Sequence, residues 1–219
     1  MDSKKLKEVV AQMPKTELHM HIEGSLEPEM AFKLAQKYNM LPLRIPKPPK
    51  AASQKGDKAG DDNDDHYLIE TLEQLKKVYM FEDLVSFLNI YNTLGTCLKQ
   101  KEDFTALAQA YCARIHADNV VHAEIFFDPQ THPARGIAFN DVCDGLNEGL
   151  QEYRDKHNMS LKLIACILRD HTVGTQDADK DKDKDKDKEQ KSEECKTSDP
   201  SAWQTIKQVC DMCSVYTYY

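Results

Sequence analysis

The chain has 219 residues, with 29 Lys and Arg against 37 Asp and Glu for a net charge of −8, a size that suits one domain, or one domain with a tail. The acidic balance excludes sequence-independent nucleic-acid binding, which rests on neutralising phosphates, and no apolar run approaches the roughly 20 residues of a membrane span. Seven scattered cysteines argue against a disulfide framework and for a reducing compartment, the cytoplasm or nucleus; residues 1–7 are charged and lack the apolar stretch of a secretory signal.

In chain order, residues 16–22 predict a short strand. Residues 27–38 predict a helix, with Pro28 in its first turn and Met30, Leu34 and Lys37 near one face. Residues 44–66 open with Pro46, Pro48 and Pro49 and then hold Lys, Gly, Asp and Asn, with almost no large apolar side chain. They predict a flexible insertion, because so little apolar surface cannot offset the ordering entropy. Helices follow at 68–78, at 81–98 with Leu84, Leu88, Tyr91 and Leu94 on one stripe, and at 102–117 behind an acidic first turn. The β-branched run 120–127 predicts a buried strand, 140–156 a helix capped by Asn140, and 161–168 a third strand. Residues 177–198 centre on alternating Asp and Lys. Alternation sets like charges at i,i+4, which disfavours a helix, so a disordered insertion is expected there. A last helix is expected within 199–213, opened by Pro200, and 214–219 form an unassigned tail.

Strands alternating with helices predict an α/β fold with a parallel sheet covered on both faces. The spacing allows a (β/α) barrel, but eight units take roughly 250 residues, and only three strands are evident.

The sharpest chemical feature is Glu17-Leu18-His19-Met20-His21-Ile22-Glu23-Gly24-Ser25. In a regular strand, residues i and i+2 share a face. His19, His21 and Glu23 are therefore expected to project together, with Leu18, Met20 and Ile22 on the other side. Two imidazoles roughly 7 Å apart along a strand can converge on one ion at the strand's end, and neutral imidazole is a good zinc ligand. Alone, a His-x-His pair is a weak signal and is also common on surfaces.

The segment running from Met13 and Pro14 through His19, His21, Glu23, Gly24, Glu27 and Pro28 resembles the opening of the adenosine/adenine deaminase family. A second match, from Asp118-Asn119-Val120-Val121-His122 through Glu124, Phe127, Asp128-Pro129-Gln130-Thr131-His132, resembles its adenine deaminase branch. Residues 72–88 and Leu163-Ile164-Ala165-Cys166-Ile167-Leu168-Arg169 fit the same pattern. The resemblance covers most of residues 1–170, from residue 13 onward, and 201–209 more loosely.

What the resemblance implies is a zinc-dependent hydrolytic deaminase on a TIM-type (β/α)8 barrel, acting on adenine or adenosine in purine salvage. His19 and His21 would be metal ligands, and Glu23 would stand beside the substrate. Zinc would lower the pKa of a bound water, which would attack C6 of the purine and release ammonia. The partner implied is a small-molecule purine, with free adenine favoured over adenosine; no nucleic acid and no membrane are expected. The family's remaining ligands and its acid and base come from later strands that have no match here. Residues 215–219 read as a frameshifted or mis-spliced end. The expectation is therefore the first three βα units of a barrel, catalytically incomplete, with an uncovered sheet edge and apolar helix faces. Poor solubility or dependence on a partner chain follows. The alternative function is a non-catalytic remnant that acts through partner binding.

A third reading uses His122-Ala123-Glu124 with Cys210-Asp211-Met212-Cys213 as the cytidine-type zinc signature. Val209 stands where that signature has Pro, and His122 sits inside a strand. Otherwise His122 and Glu124 are polar residues on the inward face of the second strand. His132 follows that strand, where loops at strand C-termini form the active face of a barrel. It either borders a pocket or shapes a turn. His66, His116 and His157 are expected on the surface, and Trp203 in packing.

Overall fold

The structure is a computed structural model and describes residues 2–48 and 65–166. The Asp-Lys tract, the helix expected within 199–213, Trp203, Cys210 and Cys213 lie outside the described residues. So do the last residues of the expected third strand.

The described elements are α1 (Ser3–Gln12), β1 (Lys15–His21), a 3-10 turn (Ile22–Ser25), α2 (Pro28–Lys37), β2 (Leu43–Pro46), β3 (His66–Ile69), α3 (Leu72–Val78), α4 (Leu84–Gly95), α5 (Lys101–Ala117), β4 (Val120–Phe127), α6 (Phe139–His157) and β5 (Ser160–Ala165). Two 3-10 turns, Pro129–Thr131 and Pro133–Arg135, follow β4. β1, β4 and β5 form one parallel sheet in that order, and β2 pairs antiparallel with β3. The fold is thus α/β with a parallel sheet. None of its described helices is long and apolar enough to cross a membrane.

Local chemistry sets most boundaries. Thr71 with Gln74 and Asp83 with Ser86 form capping boxes at the starts of α3 and α4, each satisfying amides that the helix itself cannot. Pro28 opens α2, where its missing N–H costs nothing. α6 ends at Asn158 in the left-handed region, φ 51°.

The core lies between the sheet and the α5–α6 pair. Ala123, Ile125 and Phe127 of β4 and Leu161 and Leu163 of β5 are buried with Phe104, Leu107, Tyr111, Leu146 and Leu150. The two helices approach closely because α6 carries glycine where α5 crosses it. A Cβ on Gly145 would stand 2.4 Å from the Lys101 carbonyl oxygen, and one on Gly149 would stand 2.5 Å from that of Thr105. Both obstacles are backbone, which cannot turn aside.

Several sequence expectations shift. The stretch read as a flexible insertion begins and ends in strands: Arg44 pairs with Leu68 and Pro46 with His66. The helix expected over 68–78 consequently divides into β3 and α3. Ile45 and Ile69, short apolar residues at the edges of a polar tract, are buried and explain the pairing. Leu84 is 69% exposed and Leu88 is also exposed, whereas Ile90 and Leu94 are the buried residues of α4. On α2 the buried positions are Ala31, Leu34 and Ala35. α6 begins one residue before Asn140, which therefore sits in its first turn rather than at its cap. α1 was not anticipated; its residues are all exposed, so little hydrophobic signal marks it.

Asp103 ties this frame together. It is buried, and it accepts from Lys37 Nζ at 2.8 Å, the Tyr38 hydroxyl at 2.5 Å and the amides of Lys99 and Gln100, each at 3.0 Å. Burial pushes its carboxyl up, but these donors together outweigh burial and hold it below the usual range. A depressed native value means stability that is present above the unfolded value of 3.8 and lost as pH falls through the native one. Asp103→Asn is expected to flatten that acid limb and to cost about 2 kcal/mol at neutral pH, measurable as urea midpoints between pH 3 and 7. Gly149→Ala is expected to destabilise by about 1–3 kcal/mol despite the better helix propensity of Ala. An unchanged melting temperature would show that α5 and α6 can separate at no cost.

Candidate active site

The site begins with a register slip in β1. Glu17 pairs with Ala123 and Leu18 with Glu124, but Ile125 pairs with Met20 and Phe126 with His21. His19 is the extra residue, and its φ of 61° is left-handed. Such a bulge moves every following side chain to the other face. Before it, Glu17 shares the helix-covered face and accepts from the Tyr111 hydroxyl of α5 at 2.6 Å. Beyond it, Met20 shares the face of buried Ile125 and His21 that of Phe126. Strict alternation would have left His21 on the face of Glu17.

The expectation that His19, His21 and Glu23 share a strand face opposite Leu18, Met20 and Ile22 is corrected accordingly. Leu18, 59% exposed, lies on the same face as His21. Glu23 lies past the strand in the 3-10 turn. The two histidines are nevertheless neighbours. Their ring centroids are 5.9 Å apart, and both stack on Phe126, at 4.7 and 5.4 Å.

His21 is held from below. Its Nδ1 lies 3.1 Å from Asp128 Oδ1 at the end of β4. The Tyr91 hydroxyl of α4 donates to Asp128 Oδ2 at 2.6 Å. Asp128 is 4% exposed. Burial pushes its carboxyl up, while the bonds from His21 and Tyr91 more than compensate and leave it below the ordinary range. The same hydrogen bond raises His21 against the opposing effect of burial. The Tyr91 phenol is pushed up strongly by burial and by the carboxylates of Glu23 and Asp128, so it remains a donor. Cys166, just past β5, lies beside Asp128; one ligand atom each from His21, Asp128 and Cys166 falls within 4.8 Å of the others. Burial first, and Asp128 next, raises its thiol. Cys166 is thus a third polar neighbour of the Asp128 carboxylate, after His21 and Tyr91.

Glu23 is 6% exposed. Its Oε1 accepts from the Asp128 amide at 2.9 Å and lies 3.1 Å from His132 Nε2. Arg135 in turn reaches His132 Nδ1 at 2.6 Å, the Gly95 carbonyl oxygen at 2.6 Å and the Thr131 carbonyl oxygen at 3.0 Å. His132 is 1% exposed, with its ring edge-on to Phe104 at 4.9 Å. It therefore both shapes the turn after β4 and borders the cavity.

A cavity of about 790 Å³ opens over these groups, lined by Met20, His21, Glu23, Tyr91, Asp128, His132 and Arg135 among others. Its mouth lies at the C-terminal ends of parallel strands, where α/β folds bind ligands. With Nδ1 engaged by Asp128, His21 keeps Nε2 without a hydrogen bond to any described residue. That is the donor state and the carboxylate support that a zinc-binding imidazole uses. His21, with His19 beside it, is a described residue whose chemistry suits a zinc ion.

Elsewhere, His122 bonds Ser160 Oγ at 2.9 Å and lies 3.7 Å from Glu124. Both are half-buried on the face of Phe126. His116 and His157 are exposed with ring centroids 4.1 Å apart. Sequence reasoning missed Tyr91, which it assigned to an apolar stripe, and the roles of Asp128, Arg135 and Cys166. Asp128 carried one usable signal, an acidic residue at the C-terminal end of a buried parallel strand.

The family model described as "Adenosine deaminase" matches residues 14–182. Over 167 residues the chain is 44% identical to an adenine deaminase from Trichlorobacter lovleyi, a match covering 76% of this chain and 41% of that one. The fold is similar to the crystal structure of adenine deaminase from Arthrobacter aurescens, with a TM-score of 0.57 and 34% identity over 73% of this chain and 41% of that one. It is also similar to an amidohydrolase from Burkhoderia ambifaria with bound Zn, with a TM-score of 0.53 and 19% identity over 75% and 38% of the two chains. At that identity the likeness is one of fold. The chain spans about two-fifths of the length of the curated relatives it matches.

Tyr91→Phe removes the donor to Asp128 Oδ2 and leaves a buried carboxylate oxygen short of a partner. A loss of about 1–3 kcal/mol is expected, read from chemical denaturation. An unchanged midpoint would mean that another group replaces the phenol.

Proposed function

The chain belongs to the adenosine deaminase family, and from that premise we propose that a protein carrying it is a zinc-dependent hydrolytic deaminase of free adenine. The observation that carries the reading is His21, with Nδ1 anchored on buried Asp128 and Nε2 bare, beside His19 over a cavity that also holds Glu23. The 44% identical relative is named adenine deaminase, which supports adenine over adenosine. The zinc in the amidohydrolase of similar fold supports the metal. In this reading β1, β4 and β5 are strands of a (β/α)8 barrel whose interior face carries Phe126 and the two histidines.

His19 and His21 would hold the metal, which when bound would supply the Lewis acidity that makes a water nucleophilic near neutral pH. Asp128 keeps the His21 proton on Nδ1, so that the Nε2 lone pair faces away from the carboxylate. Phe126 restricts both rings by stacking. Glu23 offers a carboxylate oxygen to the base, and Phe87, Leu88 and Tyr91 of α4 line the cavity beside it. The reaction replaces the exocyclic amine of the purine with oxygen and releases ammonia.

Zinc content and adenine turnover test this. The joint change of His19 and His21 to Ala is expected to abolish zinc retention. Asp128→Asn is expected to weaken zinc by about 10–100-fold, measured by chelator competition. Zinc retained in full by the double variant would overturn the metal assignment. Deamination of adenosine in preference to adenine would overturn the substrate.

A further inference from the structure

The surroundings of Glu23 reveal more when its donors are counted. A carboxylate this buried needs a donor at each oxygen. Oε1 has two, the Asp128 amide and His132 Nε2. Oε2 has only the Tyr91 hydroxyl, at 3.5 Å. That hydroxyl owns one proton, and it is already committed to Asp128 Oδ2 at 2.6 Å. Oε2 is therefore short of a donor among the described residues, on a side chain that lines the cavity.

His132 explains why the deficit falls on Oε2. A guanidinium has donors only, and Arg135 stands 2.6 Å from His132 Nδ1. Nδ1 must accept, so the ring is neutral and carries its proton on Nε2. The 3.1 Å contact to Glu23 Oε1 is then a directed N–H bond, not an ion pair. Arg135 is itself fixed by the carbonyl oxygens of Gly95 and Thr131, one on α4 and one in the turn after β4. Two segments far apart in sequence thus set the tautomer of one buried ring, and that ring sets the carboxylate.

We propose that Arg135 and His132 are positioning residues that hold Glu23 with Oε2 presented to the imidazole-ring N–H of a free purine base, the donor that a glycosylated purine lacks. The identity of the base rests on the deaminase reading; the relay does not.

The test uses the full chain loaded with zinc. Nitrogen-15 spectra of its histidines are expected to show a pyridine-type Nδ1 and a pyrrole-type Nε2 for His132, assigned by its disappearance in His132→Gln. A doubly protonated ring or the opposite tautomer would overturn the relay. Adenine affinity by calorimetry is expected to fall about 10-fold or more in His132→Phe. It should return to within about 3-fold in His132→Gln, which restores an N–H donor. Equal affinity in the Phe variant overturns the positioning role; if that variant does not fold, the Gln variant and the tautomer still decide. Blocking the ring N–H with 9-methyladenine is expected to cost about 10-fold, and equal binding overturns the ligand assignment. A parent chain with the expected tautomer but no affinity for adenine sinks the deaminase reading and the ligand half of this one. Adenine binding with the wrong tautomer sinks the relay alone.

Discussion

His19 adopts a φ of 61°, a conformation that costs an L-residue about 1 kcal/mol or more. The cost is local, and its effect extends along the rest of β1. One extra residue against β4 transfers His21 from the face that α5 covers to the face of Phe126. A regular strand would have directed that imidazole toward the packing that Glu17 meets at Tyr111. The cavity, the carboxylate beneath it and the neighbouring histidine matter only because this slip brings His21 to the same side.

The second constraint is the scarcity of donors around two buried carboxylates. Asp128 and Glu23 are close enough that the Tyr91 hydroxyl faces both carboxylates and the Asp128 amide donates to Glu23, and like charges at such range oppose one another. The arrangement is tolerable because each is served by different groups. His21, Tyr91 and the Cys166 thiol attend Asp128, while a backbone amide and His132 attend Glu23. Polar groups packed this tightly leave little rotational freedom, and a cavity with a rigid polar wall selects ligands by where their own donors fall.

The scaffold beneath is stiff for a different reason. α5 and α6 meet through glycines, so their backbones touch where side chains would otherwise intervene. β4 emerges from α5 and β5 from α6, and the close helix pair therefore fixes the spacing of the two strands that carry Asp128 and Cys166. Asp103, at the start of α5, links that helix to α2 through Lys37 and Tyr38, joining the two halves of the described chain.

The amino-acid sequence by itself determined the parallel α/β class, the strand at 120–127 and most helices, and it singled out the two histidines as candidates. These rest on periodicity and residue type, which act over a few neighbouring positions. It also carried enough family pattern to expect a purine deaminase. Tertiary structure decided the rest. The β2–β3 pair joins residues 43–46 to 66–69 across a polar stretch, so local composition reads only the stretch. The bulge depends on the register with β4, a strand a hundred residues away, and β1 alone cannot specify it. Tyr91 looks like one more apolar position until α4 is set against the end of β4. The tautomer of His132 depends on Arg135 being drawn in by the Gly95 carbonyl oxygen. Hydrogen-bond donors and acceptors are legible in a sequence as an inventory, but which donor meets which acceptor is settled only when distant segments are packed together.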